Sequence, residues 1–159
     1  MFNIRKAISK DLQQIRELYH DTVIAVNSKD YTEEQIRVWS GSGLTESGNT
    51  FTKKIEEQYF YVAEYENNIV GFSSVTDDGY LDYMYVHKDF QRNGIAKALL
   101  EKIESKADEL KLNLITSDVS ITARPFFEKH GYVKTGEKKD LYRGVEFINN
   151  IMVKHIQSI

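Results

Sequence analysis

The sequence contains no cysteine, which removes disulfides, thiolate metal ligands and a cysteine nucleophile in one step. It also lacks a basic excess: 21 Lys and Arg stand against 24 Asp and Glu, a net charge of -3. A nucleic-acid binder normally carries a basic stripe to meet phosphates, so that class is excluded. Any anionic ligand has to be held by a local patch or by backbone amides. Long apolar runs are missing as well. Met1-Phe2-Asn3-Ile4-Arg5-Lys6 has no hydrophobic stretch behind its charges, which fits neither a signal peptide nor a membrane span. A soluble cytoplasmic protein is the expectation. The four histidines, His20, His87, His130 and His155, show no ligand spacing, and no metal is expected. Internal repeats, low-complexity tracts, a Walker pattern and a Gly-x-Gly-x-x-Gly turn are all absent.

What is present is the composition of a packed domain. Of 159 residues, 41% are hydrophobic and 12% aromatic, enough for a core and of a length that fits one domain over residues 1–159. Phe2 to Arg5 alternates like a short strand. Asp11 with Gln14 resembles a capping pair ahead of Leu12, Ile15, Leu18, Tyr19, Thr22 and Val23, which recur at helical spacing. Thr32-Glu33-Glu34-Gln35 is a second capping-box pattern opening a short helix with Ile36 and Trp39 on its apolar side. Ser40 to Asn49 is turn-rich and reads as a mobile surface loop.

Tyr59 to Tyr65, Ile69 to Val75 and Tyr80 to Val86 then read as three antiparallel strands, joined by turns at Glu66-Asn67-Asn68 and Asp77-Asp78-Gly79. Ile95, Leu99, Ile103, Ala107 and Leu110 form the stripe of the longest helix. Leu112 to Ser117 follows as a strand, and the helical crossover makes it parallel to the one before. Thr122 to His130 is a short helix with Pro125 in its first turn. Gly131 to Thr135 and Val145 to Val153 close the chain as strands. The fold class is therefore mixed α/β, with a largely antiparallel sheet that turns parallel in the middle.

The segment Met84-Tyr85-Val86-His87-Lys88-Asp89-Phe90-Gln91-Arg92-Asn93-Gly94-Ile95-Ala96 carries the chemistry. It is a strand ending in a polar turn that opens directly into a helix. The first amides of a helix have no internal partners and sit at the positive end of its dipole, where phosphate oxygens bind well. Gly94 lets backbone approach a bound group, Ala96 leaves room above the first turn, and Lys88, Arg92 and Lys97 add local positive charge.

The pattern Gln91-x-x-Gly94-x-Ala96 after an apolar strand resembles the acetyl-CoA signature of the GNAT superfamily, the general-control-related N-acetyltransferases, where it reads Gln/Arg-x-x-Gly-x-Gly/Ala. A second family block, Asn-x-x-Ala-x-x-x-Tyr followed by Gly-Phe, is similar to Ser120-Ile121-Thr122-Ala123-Arg124-Pro125-Phe126-Phe127 followed by Gly131-Tyr132. The order of elements also resembles the family's over nearly the whole chain. The resemblance implies a mixed, mostly antiparallel sheet of about six or seven strands flanked by about four helices.

It further implies that two neighbouring parallel strands, ending near Val86 and Ser117, splay to admit the pantetheine arm. The backbone of Met84 and Val86 would pair with that arm. Amides from Gln91, Arg92, Asn93, Gly94, Ile95 and Ala96 would hold the pyrophosphate beside Lys97. Ser120, where the family has Asn, would touch the arm directly or through water, and Phe126 and Phe127 would wall the cofactor.

The reaction implied is direct transfer of an acetyl group from acetyl-CoA to a primary amine on a small molecule or peptide, by a monomer or homodimer without a metal. Asp82, on the same strand face as Met84, is the candidate general base; its other reading is a solvated strand carboxylate. Tyr80, two residues earlier, is a candidate relay. An oxyanion donor is expected near Tyr85 or Val86. Phe127 stands where the family has its proton-donating tyrosine, so Tyr132, Tyr142 or water has to serve the leaving thiolate. That departure also leaves a non-catalytic acyl-CoA-binding domain as the alternative. Tyr31, Gln35 and Trp39 share one helix face that either lines an acceptor pocket or, for Trp39 above all, packs the core.

Overall fold

The computed structural model describes residues 1–45 and 49–156. Among these, β1 (Asn3–Lys6) leads through a 3-10 turn into α1 (Leu12–Ala25), α2 (Glu33–Thr45) and α3 (Asn49–Glu57). The meander β2 (Tyr59–Tyr65), β3 (Asn68–Val75) and β4 (Leu81–Val86) follows, then α4 (Ile95–Glu109), β5 (Leu114–Val119), α5 (Arg124–Lys129), β6 (Val133–Tyr142) and β7 (Val145–His155). β1 to β4 form one antiparallel sheet in chain order, and β5, β7 and β6 form a second antiparallel sheet in that spatial order.

Among the described residues one backbone bridge joins the two sheets. Tyr80, just ahead of β4, makes a parallel bridge to Thr116. The Thr116 N–H donates to the Gly79 carbonyl at 3.0 Å, and the Ser117 hydroxyl donates to the Leu81 carbonyl at 2.8 Å. This approach requires glycine: Gly79 has φ +96°, and a Cβ there would lie 2.6 Å from the Leu114 carbonyl oxygen. Past the bridge β4 and β5 are no longer paired with each other, and the sheet opens into a V. The parallel relation expected of the helical crossover is present, but it lasts for one bridge.

Two cores support the V from opposite faces. Ile95, Leu99, Ile103 and Ala107 of α4 pack with Val70, Ile115 and Met152. Ile15, Leu18 and Val23 of α1 pack with Phe51, Phe60 and Phe72. Because β2 and β3 are covered on both faces, consecutive residues along them are buried instead of alternating. Each fully buried Leu, Ile or Phe contributes about 1.5–3 kcal/mol of transfer free energy, which is what anchors the strands on either side of the opening.

Several expectations are corrected. Asp11 does not cap α1 with Gln14. Its carboxylate receives two 2.9 Å hydrogen bonds from Arg5 and one of 2.8 Å from the Ile8 N–H, while the Gln14 amide oxygen accepts from Ile69 N–H at 2.9 Å. The pair instead ties α1 to β1 and β3. Ser40 to Asn49 is not one loop. α2 runs on through Thr45 and α3 begins at Asn49, with Glu46, Ser47 and Gly48 lying outside the described residues. Glycine is a poor helix former, but tertiary packing overrides the propensity here. α3 is thus a fifth helix. The penultimate strand is longer than Gly131 to Thr135, because β6 pairs with β7 from Val133 out to Tyr142. The capping box at Thr32 forms as expected: Thr32 N–H donates to Gln35 Oε1 at 2.9 Å, and Gln35 N–H to Thr32 Oγ1 at 3.1 Å.

Candidate active site

The open V is a cleft of about 1420 Å³. Its floor follows from strand register. His87 N–H donates to the Val70 carbonyl at 2.8 Å, so His87 is a hydrogen-bonded position of the β3–β4 ladder. The alternation of an antiparallel pair then turns the N–H and C=O of Met84 and Val86 away from β3, into the gap. The Val86 carbonyl is taken up there by Gln91 Nε2 at 2.6 Å and by the Thr22 hydroxyl at 3.1 Å. Met84 N–H and C=O and Val86 N–H remain as the strand edge facing the opening.

Beyond β4 the chain makes a 3-10 turn over Lys88–Phe90, in which His87 Nδ1 accepts from Asp89 N–H at 3.0 Å. Arg92 at φ +63° and Gly94 at φ +82° reverse the backbone into α4. Nothing lies within 4 Å of where a Gly94 Cβ would be. The first-turn amides of α4 therefore face open space at the positive end of a fifteen-residue helix. Arg92, Lys97 and Lys129 line this end of the cleft. The opposite wall is the loop after β5. Ser120 Oγ accepts from Ala123 N–H at 3.1 Å, the Tyr31 hydroxyl accepts from Ile121 N–H at 2.9 Å, and the Thr122 hydroxyl donates to Asp30 at 2.8 Å. The second sequence block is thus docked on the segment ahead of α2.

Met84, Tyr85, Val86, Gln91, Arg92, Gly94, Ile95, Ala96, Lys97, Ser120 and Phe127, all singled out by sequence, line the cleft together with Asp82. Asn93 packs the turn, donating from Nδ2 to the Gln91 carbonyl at 3.4 Å. Tyr80 sits where the strands part. Its hydroxyl donates to Asp118 on β5 at 3.1 Å, and burial followed by the Asp118 charge pushes the phenol well above its usual range. Asp82 is not a solvated strand carboxylate: Oδ2 accepts from Lys54 Nζ at 2.7 Å and Gln58 Nε2 at 2.8 Å, both on or next to α3.

Tyr132 is not brought to the cleft. Its side chain is buried, and its hydroxyl donates to Glu104 on α4 at 2.9 Å, beside Lys154. The alternation of β6 sends Tyr142 and Asp140 to the cleft instead. Trp39 is half-buried, packing against the α1 core while also lining the cleft. It meets Tyr31 at 5.0 Å and Phe147 at 6.2 Å, both edge to face, and forms cleft wall. Gln35 donates to the Glu146 carbonyl at 2.9 Å and so fastens α2 to β7.

Sequence reasoning missed Tyr19, Phe51, Phe147, Lys54 and Thr22. Tyr19 and Thr22 sat unremarkably in the apolar stripe of α1, and the others belong to elements far away in the chain. No local pattern marks them.

The comparisons agree with this architecture. An acetyltransferase (GNAT) domain model matches residues 27–154. YafP, an uncharacterized N-acetyltransferase of Escherichia coli K12, is 32% identical over 149 residues, covering 94% of this chain and 93% of the relative. A GCN5-related N-acetyltransferase of Rhodopseudomonas palustris superposes with a TM-score of 0.91 at 24% identity, over 96% of this chain and 94% of its own. The PaiA N-acetyltransferase of Thermoplasma acidophilum, in complex with coenzyme A, gives a TM-score of 0.77 at 20% identity, over 98% of this chain and 99% of its own. At those two identities the likeness is one of fold. With a domain model spanning most of its length, and a relative at that identity over nearly all of it, the chain belongs to the GNAT acetyltransferase family.

Proposed function

We propose that this protein transfers an acetyl group from acetyl-CoA directly to a primary amine bound in the same cleft. The observation that carries the reading is the V between β4 and β5, with unpaired strand-edge groups on Met84 and Val86 running into the open amides at Gly94. An extended amide-bearing arm ending in a pyrophosphate matches both halves. Met84 and Val86 hold the arm as an added strand would. The amides at Gly94, Ile95, Ala96 and Lys97, with the Arg92 side chain, hold phosphate oxygens. Gln91 acts one step back: its side chain braces the Val86 carbonyl and keeps the turn against the strand. Ser120 is occupied with its own turn, so any link from its hydroxyl to the arm runs through water.

The thioester supplies an activated acyl carbon, and the chain's residues do the rest. The Val86 N–H points to where a carbonyl oxygen gains negative charge during attack. Asp82 takes the proton shed by the amine, directly or through water, and Lys54 and Gln58 fix its orientation. Tyr80 locks β4 to β5 below the site rather than relaying protons, since its hydroxyl is committed to Asp118. The coenzyme A thiol, of pKa about 8.5, leaves more readily with a proton donor. Phe127 cannot donate and Tyr132 points elsewhere, so we assign that role to Tyr142.

The buried Phe127, with no hydroxyl, favours one other reading: a domain that binds acyl-CoA without turning it over. Release of free thiol from acetyl-CoA across a panel of amines, alongside calorimetric binding of coenzyme A, separates the two. Thiol release that depends on an amine is the expected result. Tight binding with no release for any amine would leave the sensing domain.

A further inference from the structure

We propose that the acceptor half of the cleft takes a neutral, flat aromatic amine rather than an alkylammonium; this deepens the acetyl-transfer reading and rests on it. Two sets of rings wall this half. Trp39 of α2 stands edge to face with Phe147 of β7. Across from them, Tyr19 of α1 lies 5.4 Å from Phe51 and 4.8 Å from Tyr85, and Phe51 lies 5.1 Å from Tyr83. A hydrogen bond between Trp39 and the Tyr85 hydroxyl, which also bonds Tyr19, joins the two sets. All six rings line the cleft. Rigid ring faces and edges of this kind hold a planar apolar body.

Aromatic walls can also hold a cation, so charge decides between the two amine classes. Among the described residues the carboxylates lining the cleft are Asp82, Asp118 and Asp140; Asp82 has a lysine of its own, while Asp118 and Asp140 share one. Lys54 is 2.7 Å from Asp82, and Lys138 is 3.2 Å from Asp118 and 3.9 Å from Asp140. Lys54 also stands 6.0 Å from the Tyr83 ring centroid, so the chain's own ammonium occupies the cation–π position on that wall. Burial keeps the Tyr83 and Tyr85 phenols protonated, and they add no negative charge.

An alkylammonium entering between these rings would lose its hydration, find Asp82 already paired and meet the like charge of Lys54. An arylamine has its nitrogen lone pair delocalised into the ring and is unprotonated at neutral pH. It needs apolar walls and no counter-charge. Its nitrogen forms the C–N bond to the acyl carbon as the C–S bond breaks. The nitrogen sheds one proton and the leaving thiolate gains one, giving an N-aryl acetamide and free coenzyme A.

The test is thiol release from acetyl-CoA with three probes: naphthylamine (aromatic, neutral), phenethylamine (aromatic, cationic) and cadaverine (cationic, without a ring). The expected kcat/KM for naphthylamine is at least about tenfold above both others. The Lys54→Met variant removes the resident cation, and phenethylamine should then gain about tenfold relative to naphthylamine. A wild-type preference for phenethylamine or cadaverine overturns the proposal while leaving acetyl transfer intact, and so does an unchanged ratio in Lys54→Met. If none of these or any other amine releases thiol while coenzyme A binds, the acetyl-transfer reading itself fails.

Discussion

At the scale of single residues, Gly94 combines a backbone conformation that favours glycine with open space for a bound group. Its φ of +82° is left-handed, and the space where a side chain would stand is empty. In Gly94→Val the strained backbone costs about 1–2 kcal/mol, while the branched side chain covers the first-turn amides. Coenzyme A affinity should fall by about a hundredfold or more with the circular dichroism spectrum unchanged. Retained affinity by calorimetry would put the phosphates elsewhere. Tyr142 tests the chemistry. Tyr142→Phe should lower kcat by about ten- to a hundredfold and leave KM for acetyl-CoA near its starting value. An unaltered kcat would transfer the proton-donor role to water.

At the scale of elements, the ties between helices and strands are made by side chains that sequence patterns describe as something else. Asp11 reads as a helix cap but clamps β1 to the start of α1 through Arg5. Burial disfavours its ionised form; the hydrogen bonds from Arg5 and the Ile8 N–H outweigh this and hold it below the usual carboxylate range. A folded-state value lower than the unfolded value of about 3.9 means the clamp contributes fully above that pH. The contribution is lost as pH falls through the lower, folded value. Urea midpoints should therefore drop more steeply between about pH 5 and pH 3 in the wild type than in Asp11→Asn; parallel curves would remove Asp11 from the acid sensitivity. The helical stripe of α4, the meander β2 to β4 and the capping box of α2 were readable because each is local. The α3 helix was not, since glycine and serine before it signal a turn and only packing against β2 and α1 decides otherwise.

At the scale of the whole molecule, the cleft is an unfinished sheet. Among the described residues β4 and β5 share a single backbone bridge, at Tyr80 and Thr116, and part beyond it, so a ligand that completes the sheet ties the two halves together. A ligand bound only by the folded state stabilises it by RT ln(1 + [L]/Kd), about 2.7 kcal/mol at a hundredfold excess over Kd. Melting followed by differential scanning fluorimetry should shift upward by several degrees with coenzyme A, and the shift should vanish in Gly94→Val. A wild-type Tm indifferent to coenzyme A would argue against the cleft as its site.

The amino-acid sequence alone determined the strand, turn and helix from Tyr80 to Leu100, because a phosphate-ready helix start is written in adjacent residues: an apolar strand, a polar turn, Gly94 and a small Ala96. The second block from Ser120 to Tyr132 was legible for the same reason. Tertiary structure alone decided which side chains face the opening. It turned Tyr132 to Glu104 and Tyr142 to the cleft, since strand alternation and helix docking are set by pairings between distant elements. It also placed Lys54 on Asp82 and gathered Tyr19, Phe51 and Phe147 around one space. Those residues lie 28 to 128 positions apart in the chain, beyond the reach of any local period.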